Sequence, residues 1–186
     1  SGILYRRLAL VAKEKKINLN STEAVKKFLL KQKLISYRKH LKLRNEDISK
    51  IASKIAIYKF VRDYVNKFQR NYVNNNKKHN KFVIDGRDIG SVVFKKADLK
   101  LYIDVSEKNR AKRRYKQLID TGEKSIYAKI LKEIKLRDNK DKSRKHSPLI
   151  IPNGAIIIDN NRSFIETKKQ IDILVRNLTG WIRIPI

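Results

Sequence analysis

Three short apolar runs, each closing on an aspartate, set the strongest limit on what this chain can fold into. They are Lys81–Asp85 (KFVID), Leu99–Asp104 (LKLYID) and Ala155–Asp159 (AIIID). Each is continuous rather than alternating, which predicts strands buried on both faces of a parallel sheet. Helical patterns lie between them. Residues 3–15 place Leu4, Leu8 and Val11 on one face, and Asn20-Ser21-Thr22 offers a cap for a helix from Glu23 to Lys33. Residues 34–44 are basic and carry no clear period. Asn45 is expected to cap one long helix to about Asn74, with Ile48, Ile51, Ile55, Phe60, Val61 and Val65 inward. Ser106 is expected to cap a helix to about Ile119, ahead of a turn at Thr121-Gly122. A further helix is expected from Ile126 to Asp138, and a closing one over 163–178 with Ile165, Ile171, Leu174 and Val175 inward. Strands alternating with helices predict an α/β fold, a parallel sheet with helices on both faces.

Composition narrows the function classes. No run reaches the roughly 18 apolar residues that read as a membrane span, and the first residues lack a signal-peptide pattern. The chain has no cysteine and three scattered histidines, His40, His79 and His146, so no disulfide framework and no zinc centre is expected. A cytoplasmic protein without a bound metal is the default. The net charge of +28 suggests a polyanion such as nucleic acid or a phosphorylated ligand. Abundant lysine, asparagine and isoleucine also fit an AT-rich coding sequence, in which case most lysines are solvated surface. The arginines sit in tighter arrangements and carry more information.

The loop Asp85-Gly86-Arg87-Asp88-Ile89-Gly90 follows the first apolar run, where open α/β sheets bind ligands. It forms part of a longer segment, residues 85–94 (DGRDIGSVVF). With residues 1–6 (SGILYR) and residues 137–144 (RDNKDKSR) leading into Ser147-Pro148-Leu149, it makes an ordered trio. In this order and spacing the chain resembles the bacterial cytidylate kinases, members of the P-loop nucleoside-monophosphate kinase group, from Ser1 to about Asn177. The stretch from about 30 to 45 is shorter than the substrate-domain insertion of many bacterial members.

The resemblance implies a P-loop NTPase-like three-layer α/β fold and transfer of the γ-phosphoryl of ATP, with Mg²⁺, to CMP or dCMP. It implies one kinase-like domain over 1–179, with a nucleotide-binding part at about 16–80, a core at about 1–15 and 81–179, and a lid at about 110–145. Residues 180–186 stay unassigned, and a monomer is expected. Arg6, Arg87 and Arg144 fall on phosphate-binding positions, where guanidinium forks suit phosphate oxygens. Asp88, Arg62 and Ser53 fall on base-reading positions. A carboxylate accepts from the cytosine amino group, while an arginine or hydroxyl supplies the ring acceptors. Arg137 and Asp141 fall on ribose positions, and Ser1 on a further substrate-side position. Arg110, Arg113 and Arg114 fall where the lid helix begins and could stabilise transition-state charge.

Plainer roles stay open for each. Arg6, Arg62 and Arg137 could be helix-surface residues in weak ion pairs. Asp88 could cap a short helix, and Ser53 could be a small core residue. Arg137, Asp141 and Arg144, at i, i+4 and i+7, could form a salt-bridge ladder. The arginines from 110 to 114 could line a basic surface helix. A nucleic-acid-binding protein is the rival from another class, though it gives no reason for the ordered trio. A related kinase acting on UMP is a third reading. Finally, no glycine pair among 2, 86, 90, 122, 154 and 180 fits G-x-x-x-x-G-K-[ST]. By the resemblance, the strand, phosphate loop and helix that would precede Ser1 are missing. A fragment of a longer protein is expected, or else a decayed gene product, folding poorly and with negligible kinase activity by itself.

Overall fold

The computed structural model describes residues 2–32, 43, 46–76, 78 and 81–176. Ser1, Asn45, residues 34–44 apart from Leu43, and the 180–186 tail lie outside the described residues, as do the expectations placed on them. The chain divides into two compact units: residues 1–95 with 144–149, and residues 96–143 with 150–186.

The first unit is built on helices. Helix α1 spans Gly2–Glu14 and α2 spans Thr22–Leu30. Ser21 caps α2, its hydroxyl accepting from the Ala24 amide at 3.2 Å. Helix α3 is Glu46–Ile55 and α4 is Lys59–Asn75. Leu4, Leu8, Ala9 and Ala12 of α1 recur at helical spacing and are at most 3 % exposed. They pack with Val25 and Phe28 of α2, Ile48 and Ile55 of α3, and Val61 and Val65 of α4. The single long helix expected from 45 to 74 is therefore two. Nothing between residues 46 and 75 is a glycine or proline, so the break has a tertiary cause. Tyr58 is extended (φ −71°, ψ 121°), and its hydroxyl donates to the Leu19 carbonyl at 2.7 Å. Its ring lies 5.2 Å from that of Phe60. Arg62 then reaches back, Nη1 donating to the Ala56 carbonyl at 3.3 Å just past the end of α3.

After α4, residues 81–86 form no regular element, and alternate side chains from Lys81 to Asp85 are exposed. The strand expected at Lys81–Asp85 has no ladder partner among the described residues, and Val83 is 88 % exposed. Strand geometry needs a neighbour to take its backbone hydrogen bonds. A single π-helical turn, Ile89–Val93, follows.

The second unit carries the parallel pairing that the apolar runs predict. Strand β1 (Leu101–Asp104) pairs with β2 (Ile156–Asp159), with Leu101 opposite Ile156 and Asp104 opposite Asp159. Helix α5 is Glu107–Asp120, capped by Ser106 accepting from the Asn109 amide. Helix α6 is Tyr127–Ser143, a turn longer than expected, and α7 is Phe164–Arg176. Ala111 and Leu118 of α5 bury against Ile130 of α6. Gly122 sits at φ +77°, which ends α5 in a conformation glycine adopts without strain. Ile158 is buried in β2, while Ile103, Ile156 and Ile157 stay 41–55 % exposed. In α7, Ile171, Leu174 and Val175 are half-buried as expected, but Ile165 is 65 % exposed, so the inward face starts later than its pattern suggests.

Candidate functional site

Helix α4 buries two flanks at once. Val61 and Val65 enter the apolar core, and Arg62, Asn66 and Gln69, at i, i+4 and i+7, are buried beside them. Arg62 is 3 % exposed and Asp88, just before the π-helical turn, is also 3 % exposed. Arg62 Nη2 donates to Asp88 Oδ2 at 2.5 Å. Burying both charges costs several kcal/mol per ion, which their attraction offsets only when the geometry is good. Arg62 is thus not a surface residue, and Asp88 does not use its side chain as a helix cap. Instead the Asp88 carbonyl accepts from the Val92 and Val93 amides, closing the π turn. Arg70 of α4 fastens that turn, Nε donating to Val93 O at 3.1 Å and Nη2 to Val92 O at 3.0 Å.

Tyr5 of α1 completes this cluster. It is 8 % exposed, and the Arg62 guanidinium carbon lies 5.7 Å from its ring centroid. Burial pushes its hydroxyl pKa up to about 12; the positive charges of Arg62 and Arg144 oppose the shift and the Asp88 charge adds to it. Arg144 is half-buried, its Nε donating to the Ser147 carbonyl. Several buried polar atoms in this unit have no hydrogen-bond partner among the described residues: Tyr5 Oη, Arg62 Nε, Asn66 Oδ1, both Gln69 amide atoms and Ser91 Oγ. Buried polar groups are nearly always paired, so their occurrence along the buried polar flank of α4 and at Tyr5 against Arg62 marks this region.

The remaining expected residues divide. Arg6 and Arg87 are half-buried in the first unit. Ser53 is exposed rather than core-facing, and its hydroxyl donates to the Ser49 carbonyl one turn back at 3.1 Å. In the second unit Arg137 and Asp141 both lie on α6, Arg137 exposed and Asp141 half-buried. Arg144 falls one residue past the end of α6, so the helical stripe expected through all three stops at Asp141. Arg110 makes a two-pronged fork with Asp138: Nη1 to Oδ1 at 2.9 Å and Nη2 to Oδ2 at 2.5 Å. Its Nε donates to the Val105 carbonyl at 3.1 Å. The Asp138 hydrogen bonds raise the Arg110 pKa further above its ordinary value. Arg113 donates to the Asn160 carbonyl at 2.8 Å, to Asn160 Oδ1 at 3.1 Å and to the Arg162 carbonyl at 3.1 Å. Arg114 donates to Gln117 Oε1 at 2.9 Å.

Sequence reasoning missed Tyr5, Asn66, Gln69, Arg70 and Asp138. The polar stripe on α4 was visible as a spacing, yet a polar stripe beside an apolar one is also the ordinary edge of an amphipathic helix. Among the described residues, no three His, Asp or Glu side chains group as a metal site. No described helix is long and apolar enough to cross a membrane.

Comparison with known proteins adds an independent line. The family model described as "Cytidylate kinase" matches residues 1–177. The chain is 39 % identical over 178 residues to a protein named cytidylate kinase from Rickettsia akari (strain Hartford), covering 95 % of this chain and 78 % of that one. The same coverage and identity hold for the cytidylate kinase of Rickettsia felis (strain ATCC VR-1525 / URRWXCal2). That of Rickettsia canadensis (strain McKiel) is 40 % identical over 172 residues, covering 92 % of this chain and 76 % of that one.

Proposed function

This chain belongs to the cytidylate kinase family, and on that premise we propose that its residues form the acceptor side of a phosphoryl transfer from ATP to CMP or dCMP, giving CDP or dCDP. Its α/β architecture is that of the P-loop NTPase-like kinases. In the reaction an acceptor phosphate oxygen attacks the γ-phosphorus, the bond to the bridging oxygen breaks and ADP leaves. No protein nucleophile is needed, so the side chains align and neutralise charge. Mg²⁺ would arrive as part of the donor, Mg·ATP, and would supply neutralisation of the donor's phosphate charge.

The observation that carries the substrate assignment is the buried Arg62–Asp88 pair at 2.5 Å. A fixed carboxylate accepts the exocyclic amino group of cytosine but repels the carbonyl that uracil presents there. Arg62 supplies donors to the ring acceptors, with Ser53 as a further base contact. Arg6, Arg87 and Arg144 are assigned to the acceptor phosphate, and Arg137 and Asp141 to the ribose. Ser1 is assigned to the substrate side. Residues of about 16–80 would form the nucleotide-binding part and about 110–145 the lid. Arg110, Arg113 and Arg114 would take up charge on the transferring phosphoryl group after exchanging their present partners. We further read the chain as a cytoplasmic monomer that does not act on nucleic acid.

Titration with CMP, dCMP, UMP and AMP, followed by transfer of labelled phosphate from ATP to CMP, tests this reading. Saturable binding of CMP and dCMP, and weaker binding of UMP, is the expected outcome. Equal affinity for all four nucleotides would rule out the base-reading role of Arg62 and Asp88. Affinity for DNA that falls steeply with salt, without CMP binding, would favour the nucleic-acid alternative.

A further inference from the structure

Tyr5 stands out among the groups that the proposed reaction leaves without a task. It is a buried polar side chain in contact with the candidate site, and its hydroxyl has no hydrogen-bond partner among the described residues. The charges acting on that hydroxyl are those of Arg62, Asp88 and Arg144, with Asp63 more weakly. Under the reading above, the first two belong to the base end of the nucleotide and Arg144 to its phosphate end. The ring itself lies over the Arg62 guanidinium, at what that reading makes the base end of the nucleotide, so the part of the ligand nearest the phenol is the nucleoside.

We propose that Tyr5 is a nucleotide-binding residue, its ring seating the Arg62 guanidinium against Asp88 and its hydroxyl donating a hydrogen bond to an oxygen of the bound nucleoside. The inference rests on the CMP-acceptor reading. Two independent features support it. The guanidinium carbon at 5.7 Å from the ring centroid is within cation–π range. A buried hydroxyl without a partner is unfavourable in the free protein, and a ligand acceptor relieves it. Because the phenol titrates far above neutrality, it stays an O–H donor throughout the working pH range. The acceptor is a pyrimidine carbonyl, a ring oxygen or the ribose 2′-hydroxyl.

The experiment is calorimetric titration of CMP, dCMP and UMP into the unaltered chain, Tyr5→Phe and Tyr5→Leu, with thermal melting of each protein alone. Tyr5→Phe is expected to weaken CMP binding about threefold to tenfold, the range of one neutral hydrogen bond. It should melt at the same temperature as the unaltered chain or higher, since it removes an unpaired hydroxyl. Tyr5→Leu should in addition erode the preference for CMP over UMP, by about twofold to thirtyfold, because Arg62 loses its platform. A loss for CMP but not dCMP assigns the acceptor to the 2′-hydroxyl; an equal loss assigns it to the base or ring oxygen. Unchanged CMP affinity in Tyr5→Phe, or a lowered melting temperature of that variant without ligand, overturns the proposal. Failure of the unaltered chain to bind CMP overturns the acceptor reading itself, and is distinguished by that control.

Discussion

Among the described residues, the Arg62–Asp88 and Arg110–Asp138 pairs share a closest approach of 2.5 Å, and they are built in opposite ways. In the first unit the Arg62 and Asp88 side chains are 4 % and 3 % exposed. In the second, Arg110 is 32 % exposed and Asp138 7 %. The more deeply buried pair is the less satisfied one. Arg62 joins Asp88 through Nη2 and leaves Nε without a hydrogen bond among the described residues, whereas Arg110 uses both Nη atoms on Asp138 and Nε on a carbonyl. A guanidinium with all three nitrogens engaged must give up present partners before it can serve a ligand. The Arg62–Asp88 pair keeps spare hydrogen-bonding capacity at Arg62 Nε and lies beside the Tyr5 phenol, whose hydroxyl has no partner among the described residues, and this sets it apart from the Arg110 fork.

Substituting the two acids in parallel gives the sharpest test of that contrast. Asp88→Ala leaves a buried guanidinium without its counter-charge, and should cost about 3–5 kcal/mol in urea unfolding. It should also erase the CMP-over-UMP preference. Asp138→Ala should cost about 1 kcal/mol, because Arg110 can turn to water. Comparable losses in the two variants would dissolve the distinction drawn between the pairs.

A second test uses pH. The Tyr5 hydroxyl ordinarily titrates near 10.0, and near 12 in the folded protein. Between those values the unfolded chain has released the proton that the folded chain retains, so stability falls as pH rises through this window and is unaffected below it. A shift of that size corresponds to at most about 3 kcal/mol. Lysines titrate there too, so the quantity to measure is the difference between the unaltered chain and Tyr5→Phe. Burial of the phenol should set most of its size, with the charges of Arg62, Asp88, Arg144 and Asp63 adjusting it. Identical unfolding profiles of the two proteins from pH 10 to 12 would show that the phenol is not buried.

The smallest expected effect concerns the far end of the second unit. Ser163 and Glu166 form a reciprocal cap at the start of α7: the Ser163 amide donates to Glu166 Oε2 at 3.0 Å and the Glu166 amide to Ser163 Oγ at 3.2 Å. These bonds from Ser163 lower the Glu166 pKa. Stability from this carboxylate is therefore present above its ordinary pKa and lost as pH falls through the lowered one. Ser163→Ala should cost about 0.5 kcal/mol, the low end of the range for a cap, in thermal unfolding near neutral pH. A larger loss than that of Asp138→Ala would mean that the cap, and not the Arg110 fork, anchors this unit.

Much of the fold was legible because it is local. The caps Ser21 and Ser106 stand at the residues expected from their position before apolar periodic stretches. LKLYID and AIIID pair in parallel, as continuous apolar runs should. The candidate site was less legible. The ordered trio of segments drew attention to Arg62 and Asp88 through resemblance to a family, while nothing in the spacing announced that they touch. Ser53 was read as either base contact or core residue; its exposure removes the second reading. Tyr5 lies inside the segment that carries the resemblance, but an aromatic on an apolar helix face is ordinarily core.

Residue order alone determined most helices, the two strands that pair and the caps before α2 and α5, because those signals arise among neighbours within a few positions, and it carried the family through the order of three separate segments. Tertiary structure alone decided where α3 gives way to α4 and which arginine is buried. The first depends on Tyr58 bonding to Leu19, 39 residues earlier, and the second on Arg62 meeting Asp88, 26 residues later. Contacts across such separations exist only once the chain has closed on itself. Their strength then comes from the exclusion of water that closure brings, which no local pattern records.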